Sequence, residues 1–367
     1  MINGLSTEQL EQFDSDGYLI VHDVFSEDDL APLINDITEA TTEKAVELHQ
    51  KGKLKSIPNN KAIDSYLKEI AEIDGQASAE ITQHLYSALQ YGYKSKGLFN
   101  IVSHRKFLSM LESILGPEII SSVLLLRPKL PTRLEVKEHY PGVVGMHQDQ
   151  GYFSKHCDND LIVTCWIPMV EATEENGCLV VCPGVHKNGI FLHQRHSDLV
   201  IHDEHIPTKE RVLITIGPGS VLFLNNKTPH CSWQNNTDVV RWSIDVRFQA
   251  GTTPNNLGQE PEYYRPDLPP MEISCNPPQA DFLVKSKKYP EKIIKGWEEL
   301  KKIRTNYHKG IDALTSSVNF KHEDVYHQWP DASEEDKKKR PSFGPASPES
   351  FRLSYSKSET KYPWSKT

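Results

Sequence analysis

The stretch from residue 211 to 248 leaves the chain few architectures. Arg211-Val-Leu-Ile-Thr-Ile216 reads as a strand, Gly217-Pro-Gly219 as a tight turn and Ser220-Val-Leu-Phe-Leu224 as a second strand. A short loop delivers His230, a turn follows over Gln234-Asn-Asn-Thr-Asp238, and Val239 to Phe248 forms a third strand. In that strand Arg241, Ser243, Asp245 and Arg247 share one face by the two-residue period, while Val240, Trp242, Ile244 and Val246 share the other. A polar strand face beside a histidine points to a lined cavity inside a β architecture.

The N-terminal third reads differently. Ser26-Glu-Asp-Asp29 marks a helix start, with a serine cap, acids in the first turn and Phe25 placed to staple onto Leu30. Leu30, Leu33, Ile34, Ile37, Ala40, Ala45 and Leu48 continue at helical spacing to about His49. Residues 62 to 92 read as further helix, and Gly97 to Leu115 as another that stops at Gly116-Pro117. From Ile119 to Phe248 strands dominate, among them Arg133 to Tyr140 and Leu161 to Pro168. The proline-rich residues 251 to 280 read as an irregular wrap. Ala280 to His308 reads as a return to helix anchored by Trp297 and Leu300, and the string after Asp331 as a charged, mobile tail. The expected organisation is a helical layer over 1–118, a strand-built core over 119–250, a wrap and helix over 251–330, and the tail over 331–367. The helical layer and core belong to one catalytic domain.

The chemistry concentrates at His147-Gln148-Asp149, answered by His230 and, eleven residues later, Arg241. Two imidazoles and a carboxylate hold iron(II) on one face and leave the opposite positions open for dioxygen and a co-substrate. A lone His-x-acid pair is a weak signal, and four others occur at His156/Asp158, His196/Asp198, His202/Glu204 and His322/Asp324. All four lie in polar, loop-like surroundings. Only His147/Asp149 sits between strand-like runs, after a Gly-Val-Val-Gly bend. Arginine suits a carboxylate-bearing co-substrate because its planar fork donates two parallel hydrogen bonds and stays charged when buried. Arg241 is the expected clamp, and Arg247 is its rival or a surface ion-pair member.

These residues resemble the phytanoyl-CoA dioxygenase family of iron(II)/2-oxoglutarate oxygenases. Trp166-Ile-Pro-Met-Val-Glu-Ala-Thr-Glu-Glu-Asn-Gly-Cys-Leu-Val-Val-Cys-Pro-Gly-Val-His-Lys187 is similar to that family's central signature, and Phe13 to Leu30 to its strand-then-helix entry. The resemblance covers about residues 8 to 285. It implies a mainly β fold with flanking helices, the double-stranded β-helix (jelly-roll, cupin-like) barrel. It also implies Fe(II), 2-oxoglutarate and O2 as cofactors, with His147, Asp149 and His230 as metal ligands. Arg241 with Ser232 would bind the distal carboxylate, and Gln148 and Trp166 would lie at the cofactor pocket. Residues 40 to 100 and those past about 255 follow no pattern tied to a known substrate.

The expected activity is oxidation, foremost hydroxylation, of a small organic substrate with release of succinate and CO2. Desaturation or ring formation on the same fold, a zinc hydrolase and a catalytically inactive binding module stay open. A halogenase would need a small residue in place of Asp149. The formal net charge of −9 argues against nucleic acid as a partner. The lysines at 285, 287, 288, 292 and 295 read as a solvated helix face, with a phosphate-bearing substrate as the alternative. The six cysteines contain no C-x-x-C pair. With no secretory leader in Met1 to Glu8 and no transmembrane run, a reduced intracellular setting is expected. The terminal Trp-Ser-Lys-Thr367 is not a Ser-Lys-Leu address, so the expected compartment is the cytoplasm, and the expected state monomer or homodimer without membrane contact.

Overall fold

The computed structural model describes residues 4–90, 95–136, 143–152, 159–191, 193–195, 199–208, 210–253 and 282–302. Helix α1 (Thr7–Asp16) starts at a Ser6 capping box and ends at Gly17 in the left-handed region. Strand β1 (Tyr18–Val21) follows, and then α2 (Glu27–Gln50). The expected Ser26 cap is present: its hydroxyl accepts from the Asp29 amide, and the Asp29 carboxylate accepts from the Ser26 amide. Phe25 and Leu30 are both buried in the main core. Helices α3 (Tyr66–Ile73), α4 (Gly75–Leu85), α5 (Lys96–Val102) and α6 (Arg105–Leu115) complete the helical layer. The helix expected over 97–115 is thus two, parted at Ser103-His104, where His104 takes an extended conformation as the cap of α6.

The strands that follow are β2 (Ile119–Lys129), β3 (Ile162–Pro168), β4 (Leu179–Val181), β5 (His193–Arg195), β6 (Leu199–Ile201), β7 (Val212–Ile214), β8 (Val221–Asn225), β9 (His230–Ser232), β10 (Arg241–Ala250) and β11 (Phe282–Lys285). A major antiparallel sheet has the order β1-β8-β3-β10-β2-β11, a minor sheet the order β7-β4-β9, and β5 pairs with β6. The strand expected from Arg133 begins instead with a 3-10 turn over Thr132–Leu134, and residues 137–142 lie outside the described residues. Gly217-Pro-Gly219 is the expected turn. Gly219 has φ of 76°, and a Cβ there would meet the Phe25 carbonyl oxygen at 2.1 Å, so only glycine fits.

Side-chain alternation divides the major sheet into two faces. Val163, Cys165 and Ile167 of β3, Val221 and Phe223 of β8, and Trp242, Ile244, Val246 and Phe248 of β10 pack in one core with Leu33, Ile37, Phe107 and Leu111 of the helices. The other face supplies Trp166, Leu222 and Leu224 to a second core shared with Leu179, Val181 and Ile214 of the minor sheet. A helix layer therefore covers one side of the major sheet, and the other encloses an interior with the minor sheet.

The chain after 280 departs from expectation. Phe282–Lys285 is not helix but an edge strand paired with β2, and helix begins at residue 297 and runs to 302, where the described residues end. A three-residue apolar run, Phe282-Leu-Val284, does not reveal its period, so pairing decided it. Leu300 is fully buried and Trp297 packs against the same core, as anchors should. The lysines do not form one helix face. Lys285 and Lys287 pair with Glu112, while Lys288 and Lys292 stack on Tyr289. Most of the expected wrap and the whole expected tail lie outside the described residues.

Candidate metal centre

His147 and His230 meet as an isolated antiparallel bridge, each amide donating to the other's carbonyl at 2.9 Å. This joins the His147 loop to β9 and brings the two rings to 4.2 Å between centroids. Nδ1 of His147 donates to the Gly145 carbonyl at 2.8 Å, and Nδ1 of His230 to the Thr228 carbonyl at 3.0 Å. Carbonyls only accept, so both protons sit on Nδ1 and both Nε2 lone pairs are left for a ligand. Asp149 opens a 3-10 turn whose next residue, Gln150, donates its amide to the Asn226 carbonyl at 2.8 Å. The Asp149 Oδ1 lies 3.8 Å from Nε2 of His147. One ligand atom from each of His147, Asp149 and His230 lies within 4.8 Å of the others, and all three residues are buried.

The surroundings fix the charges. Burial alone would raise the Asp149 carboxyl, but Arg247, His230 and His147 outweigh it and hold it well below the usual carboxylate range. Arg247 donates to Oδ1 at 2.7 Å, and the Thr164 hydroxyl donates to Oδ2. Burial, with His230 beside it, lowers His147 to about 3. At neutral pH the site therefore offers a neutral His147 imidazole and an ionised Asp149 carboxylate, and the Nδ1 hydrogen bond of His230 leaves its Nε2 facing the site. Burial pushes the neighbouring Cys231 thiol up to about 11, so thiolate is not on offer. A nitrogen and oxygen donor set of this kind suits iron(II).

A second polar cluster lies beside it. Ser232 is two residues from His230 on the same face of β9, about 7 Å along the strand. Its hydroxyl accepts from Nζ of Lys129 at 3.0 Å and from the Val144 amide at 2.9 Å. Arg241 pairs in register with Lys129, lies 5.3 Å over the Trp166 ring and donates to the Ser243 hydroxyl at 2.5 Å. Trp166 donates its indole N–H to the same hydroxyl at 2.9 Å. Lys129 is buried, and that burial together with Arg241 pushes it down to about 7.

Trp166, Ser232 and Arg241 thus come together, but Gln148 turns elsewhere. Its amide nitrogen donates to the Gly189 and Lys227 carbonyls at 2.8 and 2.6 Å, and its oxygen accepts from the Phe191 amide at 2.7 Å. These bonds tie the ligand loop to residues 189–191 and 227. Arg247 is not a surface ion-pair member, since it is buried against Asp149. Sequence reasoning missed Thr164 and Lys129. Thr164 shares the interior face of β3 with Trp166 and faces Arg247 in register, a signal the two-residue period carries. Of the rival pairs, His202 and Glu204 join His205 on the surface turn Asp203–His205, while His156, His196 and His322 lie outside the described residues.

Comparison with known proteins decides the family. The phytanoyl-CoA dioxygenase (PhyH) family model matches residues 13–243, well over half of the chain. The chain belongs to the phytanoyl-CoA dioxygenase family of iron(II)/2-oxoglutarate-dependent oxygenases. It is 27% identical over 195 residues to human peroxisomal phytanoyl-CoA dioxygenase, a match covering 49% of this chain and 56% of that one. It is 24% identical over 274 residues to the rat enzyme, covering 70% and 75%. The solved structure of a non-heme monooxygenase, ThoJ in its apo form, superposes with a TM-score of 0.50 at 14% identity, covering 84% of this chain and 99% of that one. That likeness concerns the fold, a double-stranded β-helix with flanking helices. Among the described residues no helix is long and apolar enough to cross a membrane.

Proposed function

We propose that this family member oxidises, foremost by hydroxylation, a small organic substrate, with His147, Asp149 and His230 holding iron(II). The observation that carries this reading is the meeting of three buried donors, with both imidazoles turned by their Nδ1 hydrogen bonds to offer Nε2. Bound iron(II) with 2-oxoglutarate supplies dioxygen activation and substrate oxidation, coupled to release of succinate and CO2. The chain's own contribution is arrangement. The carbonyls of Gly145 and Thr228 aim the imidazoles, and Arg247 and Thr164 keep Asp149 ionised and oriented.

Arg241 and Ser232 bind the distal carboxylate of 2-oxoglutarate. The Ser243 hydroxyl accepts from both the Arg241 fork and the Trp166 indole, so the arginine is set before the diacid arrives. The spacing of His230 and Ser232 along β9 is comparable to the length of a five-carbon diacid. The free thiols of Cys165, Cys178, Cys182 and Cys231 support a reducing compartment such as the cytoplasm.

The test is stoichiometric. Purified chain with iron(II), 2-oxoglutarate and oxygen should release succinate, slowly without substrate and faster with the right one. No succinate above a metal-free control, across iron(II) levels that saturate binding, would remove the oxygenase reading and leave the binding-module alternative.

A further inference from the structure

We infer that Lys129 is a second cation for the far carboxylate of the co-substrate and takes up a proton as that carboxylate arrives. This rests on the 2-oxoglutarate reading above and adds a residue and a proton to it. Lys129 ends β2 on the same face as Arg127, turned into the interior between the sheets. It is 3% exposed, which is unusual for a lysine unless an anion is expected nearby. Its Nζ reaches Ser232, the hydroxyl assigned to the diacid, and its strand partner in register is Arg241. Three groups from three strands, a guanidinium, an ammonium and a hydroxyl, therefore face one small volume.

The surrounding sequence is built to admit this side chain. Gly177, in the Asn-Gly-Cys-Leu turn, has φ of 86°, and a Cβ there would fall 2.4 Å from Cε of Lys129 and 2.7 Å from the Trp233 carbonyl oxygen. Any larger residue at 177 would displace the lysine stem. Asn235 holds the Lys129 backbone by donating to its carbonyl at 2.9 Å, while donating also to the Val239 carbonyl at 2.8 Å.

The electrostatics give the arrangement its purpose. Two buried cations side by side repel, and burial first, then Arg241 on β10, lowers Lys129 to about 7. Arg127 on β2 pushes the same way, while Glu135 pushes back and Cys231 of β9, a protonated thiol near neutral pH, does not. Near neutral pH the ammonium is therefore partly discharged before binding. A carboxylate placed between Lys129 and Arg241 reverses the balance, favours the charged lysine and draws a proton from solvent. A neutral lysine costs less to bury while the pocket waits, and a charged one binds the diacid more tightly.

The decisive experiment is titration calorimetry on the full chain, loaded with iron(II) without oxygen. The ligands are 2-oxoglutarate and 2-oxopentanoate, which has the same 2-oxo acid head but a methyl in place of the far carboxylate. Wild-type protein should prefer the diacid, and that preference should shrink as pH rises from 6.5 to 8.5. Measured in two buffers of different ionisation enthalpy at pH 7, diacid binding should take up a fraction of a proton that monoacid binding does not. Lys129→Met should weaken the diacid by about 10- to 100-fold at pH 6.5, leave the monoacid nearly unchanged and abolish the extra proton. Equal losses for both ligands, or wild-type diacid binding with no proton uptake, would overturn the inference, and the wild-type arm holds even if the variant folds poorly. Arg241→Met serves as the control. If it too leaves diacid preference intact, the co-substrate assignment has failed, and not only the lysine's part in it.

Discussion

Arg247 and Asp149 form a buried ion pair, with the guanidinium donating to Oδ1 at 2.7 Å from across the interior face of β10. Arg241 lies six residues earlier on the same face, about 20 Å along the strand, beside Trp166 and Ser243. One strand face thus carries two arginines in different surroundings. One is bound to the Asp149 carboxylate, and the other lies against Trp166 and Ser243.

Arg247→Leu should destabilise the metal-free protein by about 3–5 kcal/mol, because it strands a carboxylate in the interior. Iron(II) would neutralise that carboxylate, so the penalty should be smaller in the metal-loaded protein. Denaturant unfolding with and without anaerobic iron(II) measures the difference. Equal destabilisation in both states would mean that Arg247 acts by packing alone.

Asp149→Ala should remove product formation while the two histidines retain weak metal binding. His147→Ala or His230→Ala should abolish tight binding. Cys231→Ser should keep iron, since its thiol stays protonated beside the site. Anaerobic iron titration separates these variants, and metal loss in Cys231→Ser with retention in His147→Ala would discard the ligand set.

Arg241→Ala should weaken 2-oxoglutarate by roughly 30- to several-thousand-fold, the equivalent of about 2–5 kcal/mol for one partner of a sheltered charge pair. Arg241→Lys should recover only part, because an ammonium does not reproduce the two-pronged fork. Iron(II) binding should be nearly intact in both. The metal-to-ligand absorption band of the anaerobic complex reports the affinity, and near-normal binding by Arg241→Ala would refute the clamp.

Acid should weaken the metal-free fold well before ordinary carboxylates titrate. Burial lowers His147 to about 3 and His186 to about 4, both below the unfolded value of about 6.5. The unfolded chain then binds more protons. The contribution of these two histidines is complete above about pH 6.5 and is lost as pH falls through the window toward those lowered values. Each histidine should contribute a slope of about 1.4 kcal/mol per pH unit within it. His186→Asn should remove roughly half of this dependence between pH 7.5 and 5.5. Urea midpoints that do not move over that range would contradict the buried neutral histidines.

Where local pattern and tertiary structure agree, the sequence was informative. The alternation of Arg241, Ser243, Asp245 and Arg247 against Trp242, Ile244 and Val246 reproduces the two faces of β10, and the Ser26 cap begins α2 as expected. The meeting of His147, Asp149 and His230 was legible because the surrounding strands restrict where such ligands fall. The partners of the Gln148 side chain were not legible, because adjacency to ligands says nothing about side-chain direction outside a regular strand. Lys129 was silent for a different reason. A lysine ending a strand looks like a surface residue until the turn at Gly177 is seen to make room for it. β11 was missed because three apolar residues are claimed by whichever edge they meet.

The six-stranded sheet takes one edge from residues 18–21 and the other from 282–285. During synthesis, its last edge cannot close until the ribosome has passed residue 285. Until then β2 presents an unpaired rim of backbone donors and acceptors, the surface on which strands of different molecules join. Its neighbours are also distant in sequence, with Ile119 facing Ala250 across the ladder. Such pairings close large loops before any contact rewards them, which makes folding slow. Nascent chains arrested between residues 250 and 285 should therefore depend on chaperones far more than the finished protein does.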